Sequence, residues 1–124
     1  IDMVAAPESR GFIFGATVAA ELSAGFIPIR KPGRLPSDKQ MEEYTLEYGT
    51  DSVEIHRDSI EPGDRVLLVD DVLATGGTMV ACTRLIKALG GEIVGVSVLA
   101  GLNFLNGRNQ LASVPLHSIL RYDS

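Results

Sequence analysis

Residues 66–80 read Val-Leu-Leu-Val-Asp-Asp-Val-Leu-Ala-Thr-Gly-Gly-Thr-Met-Val, and this stretch decides the fold. The unbroken apolar run Val66, Leu67, Leu68, Val69 has the pattern of an interior parallel strand, buried on both faces. Asp70 and Asp71 fall at its C-terminal end, where open α/β sheets place their ligands. Ala74, Thr75, Gly76, Gly77 and Thr78 then form a small-residue turn that can wrap a phosphate. The glycines let backbone N–H groups converge, the threonines add hydroxyls, and the dipole of the helix starting there favours an anion. An Asp pair on its own is usually just solvated. Joined to Thr-Gly-Gly-Thr at this offset, it implies a ligand with both hydroxyls and phosphate.

Working outward, residues 1–6 form a short apolar strand ending at Pro7, followed by the polar turn Glu8-Ser9-Arg10-Gly11. Phe14, Val18 and Leu22 recur at four-residue spacing, which predicts a helix stopped by Gly25. Residues 26–29 are a second strand. From Arg30 to His56 the chain is polar, charged and proline-bearing, without periodicity until Val53 and Ile55, and is expected to be a long functional loop. After the turn Glu61-Pro62-Gly63-Asp64 comes the third strand, residues 65–70. Ala81, Cys82, Leu85, Ile86 and Leu89 form a helical stripe ended by Gly90-Gly91. Residues 93–99 are a β-branched fourth strand, residues 103–110 a loop, and residues 114–120 a last short strand.

Alternating strands and helices imply parallel pairing: an α/β, doubly wound, mainly parallel sheet of about five strands flanked by helices. The segments that follow the strands then open on one rim and share one crevice.

The 124 residues suit a single domain, and a net charge of −5 argues against wholesale nucleic-acid binding. Basic residues gather instead in Arg30-Lys31-Pro32-Gly33-Arg34-Leu35-Pro36, after the second strand. The single cysteine, Cys82, sits on an apolar helix face and reads as a small buried hydrophobe, which fits a reducing cytoplasm. No stretch approaches the ~18 apolar residues of a membrane span, and the start lacks a signal-peptide pattern. His56 and His117 have no partner at metal-ligand spacing and read as structural or surface residues.

Residues 66–80 resemble the phosphoribosyl-pyrophosphate (PRPP) motif of type I phosphoribosyltransferases. The resemblance implies that Asp70 and Asp71 hold the ribose hydroxyls while Ala74, Thr75, Gly76, Gly77 and Thr78 hold the 5′-phosphate. Glu8-Ser9-Arg10-Gly11, continuing into Phe12-Ile13-Phe14-Gly15, resembles the pyrophosphate loop of the adenine-type enzymes. It implies pyrophosphate contacts from Ser9 and Arg10, with a non-proline cis peptide between them. Residues 30–36 resemble a cationic loop of the same family, which adds Arg30, Lys31 and Arg34 to the pyrophosphate side. Tyr44-Thr45-Leu46-Glu47-Tyr48-Gly49 resembles its mobile lid, expected here over about residues 31–56, with Glu47 as the proton-transfer residue and Tyr48 helping closure.

What these resemblances imply together is transfer of phosphoribosyl from PRPP to adenine, giving AMP and pyrophosphate in purine salvage. Mg²⁺ would be held mainly by PRPP and water rather than by protein ligands, and the enzyme would be a cytoplasmic homodimer without nucleic-acid or membrane partners. Adenine-type enzymes carry an N-terminal segment, including a hood over the base, before the strand that opens here at Ile1, and this segment is expected to be missing. They commonly have an acidic residue where this chain has Gly101. Three other readings share parts of the pattern: a PRPP-binding regulator or sensor of the same fold, a phosphoribosyltransferase for another base, and a PRPP synthetase. The last is duplicated and longer, and Leu-Glu-Tyr-Gly counts against it.

Overall fold

Asp70 and Arg10 come from distant parts of the sequence, and the sheet topology sets them side by side. The structure, a computed structural model, describes residues 1–35, 39–46, 49–73, 76–102, 111 and 114–123, with side chains at all of these except 44–46 and 49–51. The elements in order are β1 (Met3–Pro7), α1 (Arg10–Leu22), β2 (Gly25–Ile29), β3 (Lys39–Leu46), β4 (Gly49–His56), β5 (Arg65–Leu73), α2 (Gly77–Ala88), β6 (Glu92–Leu102) and β7 (Leu116–Tyr122). The main sheet has the order β2-β1-β5-β6-β7, every pair parallel. The chain leaves β1 towards β2 on one side and returns to β5 on the other. The strand order therefore reverses between β1 and β5, and ligands of open α/β sheets bind at such a switch point.

Alternation along the central strands feeds a core on each face. On β5, Val66 and Leu68 join Ala5, Ile27, Ile29, Val96 and Val98 beneath α2, which contributes Met79, Ala81, Cys82, Leu85 and Ile86. On the opposite face, Val4 and Val69 pack with Ala19 of α1, flanked by Val18, Phe26 and Leu67. Leu85 and Ile86 are fully buried, each stabilising the fold by about 1.5–3 kcal/mol. Helix α1 lies so close to β1 that a Cβ at Gly15 would fall 2.6 Å from Ala6 Cβ.

Three local expectations change. Helix α1 ends at Leu22, capped by Ser23 in the left-handed region (φ 54°), whose N–H donates back to the carbonyls of Ala19 and Ala20; Gly25 instead opens β2. The last strand lies two residues later than the sequence pattern placed it, and β6 runs on to Leu102, so Gly101 is a buried strand residue.

The largest change concerns residues 31–56, expected to be a long functional loop and mobile lid in which, from the residues alone, only the part around Glu47 and Tyr48 looks like half of a small β-hairpin. Residues 39–46 and 49–56 form an antiparallel hairpin with Lys39 opposite His56 and Leu46 opposite Gly49. Val53 and Ile55 point into the core shared with α2, at 1% and 0% exposure. A polar strand such as β3 has little pattern of its own and is fixed by pairing and by packing on its neighbours. Arg84 of α2, 3.7 Å from Glu42 of β3, ties the hairpin to the helix. No helix among the described residues is long and apolar enough to cross a membrane.

Candidate active site

Strand β5 carries Asp70 and Asp71 to the rim, and local hydrogen bonds set their side chains. The N–H of Asp71 donates to Asp70 Oδ1 at 2.8 Å, and the N–H of Val72 donates to Asp71 Oδ1 at 2.9 Å. Across the switch point, Arg10 at the start of α1 pairs its Nε with Asp71 Oδ2 at 2.9 Å. The Arg10 side chain is 78% exposed, so this contact is easily exchanged for another anion. Asp70 is tucked deeper: a Cβ on Gly11 would lie 2.9 Å from its Oδ1, so the first turn of α1 covers the carboxylate only because residue 11 has no side chain. Burial pushes the Asp70 pKa from 3.8 up to about 7. The Asp71 N–H opposes that rise, the Asp71 side chain adds to it, and Arg10 opposes it.

Helix α2, the next element after β5, starts at Gly77. Its N-cap is Gly76 in the left-handed region (φ 90°), with no side-chain cap and no acidic residue in the first turn. The N–H groups there are left for an anion, with the helix dipole behind them. Gly76, Gly77 and Thr78 line a cavity of about 260 Å³ with Arg10, Asp70, Asp71, Val72, Leu73 and Met79.

A second cavity of about 140 Å³ adjoins it, sharing Arg10, Asp70, Asp71 and Thr78. Its other walls are Pro7, Glu8, Ser9, Ile29, Lys31 and Val53. The segment leading to Lys31 is shaped by Glu8, whose Oε1 accepts the N–H of Lys31 at 2.5 Å and lies 3.4 Å from Arg30 Nε. The Arg30 guanidinium also stands 5.8 Å over the Phe12 ring, which meets Phe26 edge to face. Among the described residues, no cluster of three or more His, Cys, Asp or Glu side chains could hold a metal ion by itself.

Of the residues singled out from sequence, the structure gathers Ser9, Arg10, Lys31, Asp70, Asp71, Gly76, Gly77 and Thr78 around these two cavities. It leaves out two. Arg30 is turned to Glu8 and Phe12, and Arg34 is exposed and lines neither cavity. Ala74, Thr75, Glu47 and Tyr48 lie outside the described residues. The non-proline cis peptide is between Glu8 and Ser9, one bond earlier than the resemblance implied.

Sequence reasoning passed over Glu8 and the wall residues Pro7, Ile29, Leu73 and Val53. The first three walls end β1, β2 and β5, and the rule that strand C-termini form the rim could have found them. Nothing short of the hairpin itself would have found Val53.

Comparison with known proteins agrees with this geometry. The phosphoribosyl transferase domain family matches residues 1–123. An adenine phosphoribosyltransferase of Alkaliphilus metalliredigens is 56% identical over 122 residues, spanning 98% of this chain and 72% of its own. The crystal structure of adenine phosphoribosyltransferase from Thermoanaerobacter pseudethanolicus superposes with a TM-score of 0.96 at 50% identity, covering 98% of this chain and 70% of that one. The Saccharomyces cerevisiae enzyme, solved with an imino-altritol 1,6-bisphosphate and adenine, gives 0.93 at 40% identity, covering 97% and 68%. With a rim of this construction and relatives of this closeness, the chain belongs to the phosphoribosyl transferase family, as a transferase of its adenine phosphoribosyltransferase group.

Proposed function

We propose that this chain transfers the 5-phosphoribosyl group of PRPP to adenine, releasing pyrophosphate and forming AMP, as a step of purine salvage. The observation that carries the reading is the pair of adjoining cavities with Arg10, Asp70, Asp71 and Thr78 in common. PRPP needs two anion sites flanking one pentose. The yeast relative supports the same division, since it was solved with a bisphosphate and adenine together.

In this reading the α2 N-terminus holds the 5′-phosphate and the Asp pair accepts hydrogen bonds from the ribose hydroxyls. As the bond at C1 breaks, negative charge grows on the departing pyrophosphate, and Arg10 and Lys31 face that charge from a site already built. Arg30 contributes through Glu8, by holding the segment that carries Lys31. Glu47 is proposed as acceptor of the proton lost by the attacking base.

Mg²⁺ keeps several waters and binds by one or two carboxylates plus substrate phosphates, and the Asp pair on the rim suits that mode, with PRPP and water as the main ligands. When bound it would neutralise part of the pyrophosphate charge. We further propose a cytoplasmic homodimer.

Incubation with PRPP, Mg²⁺ and each nucleobase in turn tests the reading. AMP and pyrophosphate should appear in equal amounts with adenine alone. PRPP binding without turnover would point to a sensor of the same fold, and product with another base would replace adenine.

A further inference from the structure

The segment that brings Lys31 to the second cavity is bonded to a residue that does not line it. Glu54 sits between Val53 and Ile55 on β4, and strand alternation turns it away from the core that takes both neighbours. Such a position ordinarily faces water, yet Glu54 is only 4% exposed. The segment after β2 covers it. Arg30 and Glu54 exchange both backbone hydrogen bonds, at 2.9 and 2.7 Å, which fastens the end of β2 to the hairpin. Glu54 Oε1 then accepts the N–H of Gly33 at 2.8 Å, where the chain turns back through a positive φ of 80°. One residue thus grips the segment at both ends of the step that contains Lys31.

A buried carboxylate is costly without partners, and one placed near an anion site opposes the anion by its charge. Its presence is explained by the backbone it holds. A charge-assisted hydrogen bond to an N–H is short, directional and roughly twice as strong as a neutral one.

We propose that Glu54 is a positioning residue for the pyrophosphate half of the site, fixing residues 30–33 so that Lys31 faces the second cavity. This rests on the reading of that cavity given above. It adds a specific claim: Glu54 should matter to the diphosphate and not to the pentose phosphate.

The test measures binding of pyrophosphate and of ribose 5-phosphate, each with Mg²⁺, to the full chain by calorimetry, alongside steady-state kinetics with PRPP. Glu54→Leu should weaken pyrophosphate by about tenfold or more, equal to 1.4 kcal/mol, and raise KM for PRPP likewise, with ribose 5-phosphate within about twofold of wild type. Glu54→Gln keeps an oxygen acceptor and should stay within about threefold of wild type for pyrophosphate, a rescue that loss of charge alone does not explain.

If Glu54→Leu does not fold, Gly33→Ala tests the same contact. A Cβ there meets nothing within 4 Å, so its effect is confined to the turn, and pyrophosphate should again weaken selectively. Glu54→Leu binding pyrophosphate as wild type does, or weakening both ligands equally, overturns the inference, as does an unaffected Gly33→Ala. A wild-type chain that binds pyrophosphate but turns over no PRPP fails the functional reading instead.

Discussion

The two halves of the rim are built in opposite ways. The half proposed to hold the sugar phosphate draws, apart from Arg10, on two elements adjacent in sequence: β5 delivers the Asp pair, and α2, the next element, delivers the anion cradle at its N-terminus. The half proposed to hold pyrophosphate is assembled from the ends of β1 and β2, the start of α1 and the far strand of a hairpin. Its shape depends on contacts between residues more than twenty positions apart, such as Glu8 with Lys31 and Glu54 with Gly33. Hydrogen bonds from neighbouring N–H groups set the Asp pair of the first half. Tertiary packing makes the second, so remote substitutions should damage one half and spare the other.

The sharpest way to break this comparison is at Asp71, a carboxylate bonded to both halves. Asp71→Ala removes an acceptor from the pentose and the partner of Arg10, and kcat/KM for PRPP should fall by about 10²–10³-fold. A loss below tenfold in steady-state kinetics would show that the halves do not meet there.

A middle-sized effect is expected at Asp70, whose pKa is raised from 3.8 to about 7 by burial. The folded chain holds this proton between roughly pH 4 and 7, where the unfolded chain has released it, so stability contributed below pH 4 is lost as pH rises to 7. The slope should reach at most about 1.4 kcal/mol per pH unit, and Asp70→Asn should flatten it in denaturant titrations. Affinity for ribose 5-phosphate should rise between pH 6 and 8 more steeply in wild type than in Asp70→Asn, because the ionised form accepts two hydroxyl hydrogen bonds. Parallel profiles would remove Asp70 from ligand binding.

The smallest effect is predicted for Arg34. It is exposed and outside both cavities, so Arg34→Ala should change KM for PRPP by less than about threefold, whereas Lys31→Ala should raise it by about tenfold. Equal effects would mean that the whole cationic segment acts as a diffuse field and not through placed groups.

The same contrast governs how far the sequence could be read. Strand β5 and helix α2 announce themselves because their apolar pattern, carboxylates and glycines are adjacent, and the parallel sheet follows from strands alternating with helices. The hairpin does not, since Lys39, Gln40, Glu42 and Glu43 show no strand pattern until β4 and α2 supply a surface for them. Glu54 is hidden for a related reason. Alternation predicts a solvated side chain there, and nothing in the pattern shows that residues 30–33 return to bond it. The end of α1 fails more simply: Ser23 adopts the left-handed cap for which Gly25 was the obvious candidate.

On the proposed function, the sharing of Arg10, Asp70, Asp71 and Thr78 between adjoining cavities would make the site a chelator. A ligand with an anion at each end of one pentose loses its rigid-body freedom once while engaging both pockets, so the second contact forms at a high effective concentration. Severing the bond between the ends abolishes that advantage at once. Two fragments remain, each holding on with its own modest affinity, and the chemistry that completes the turnover also loosens the grip that made it possible.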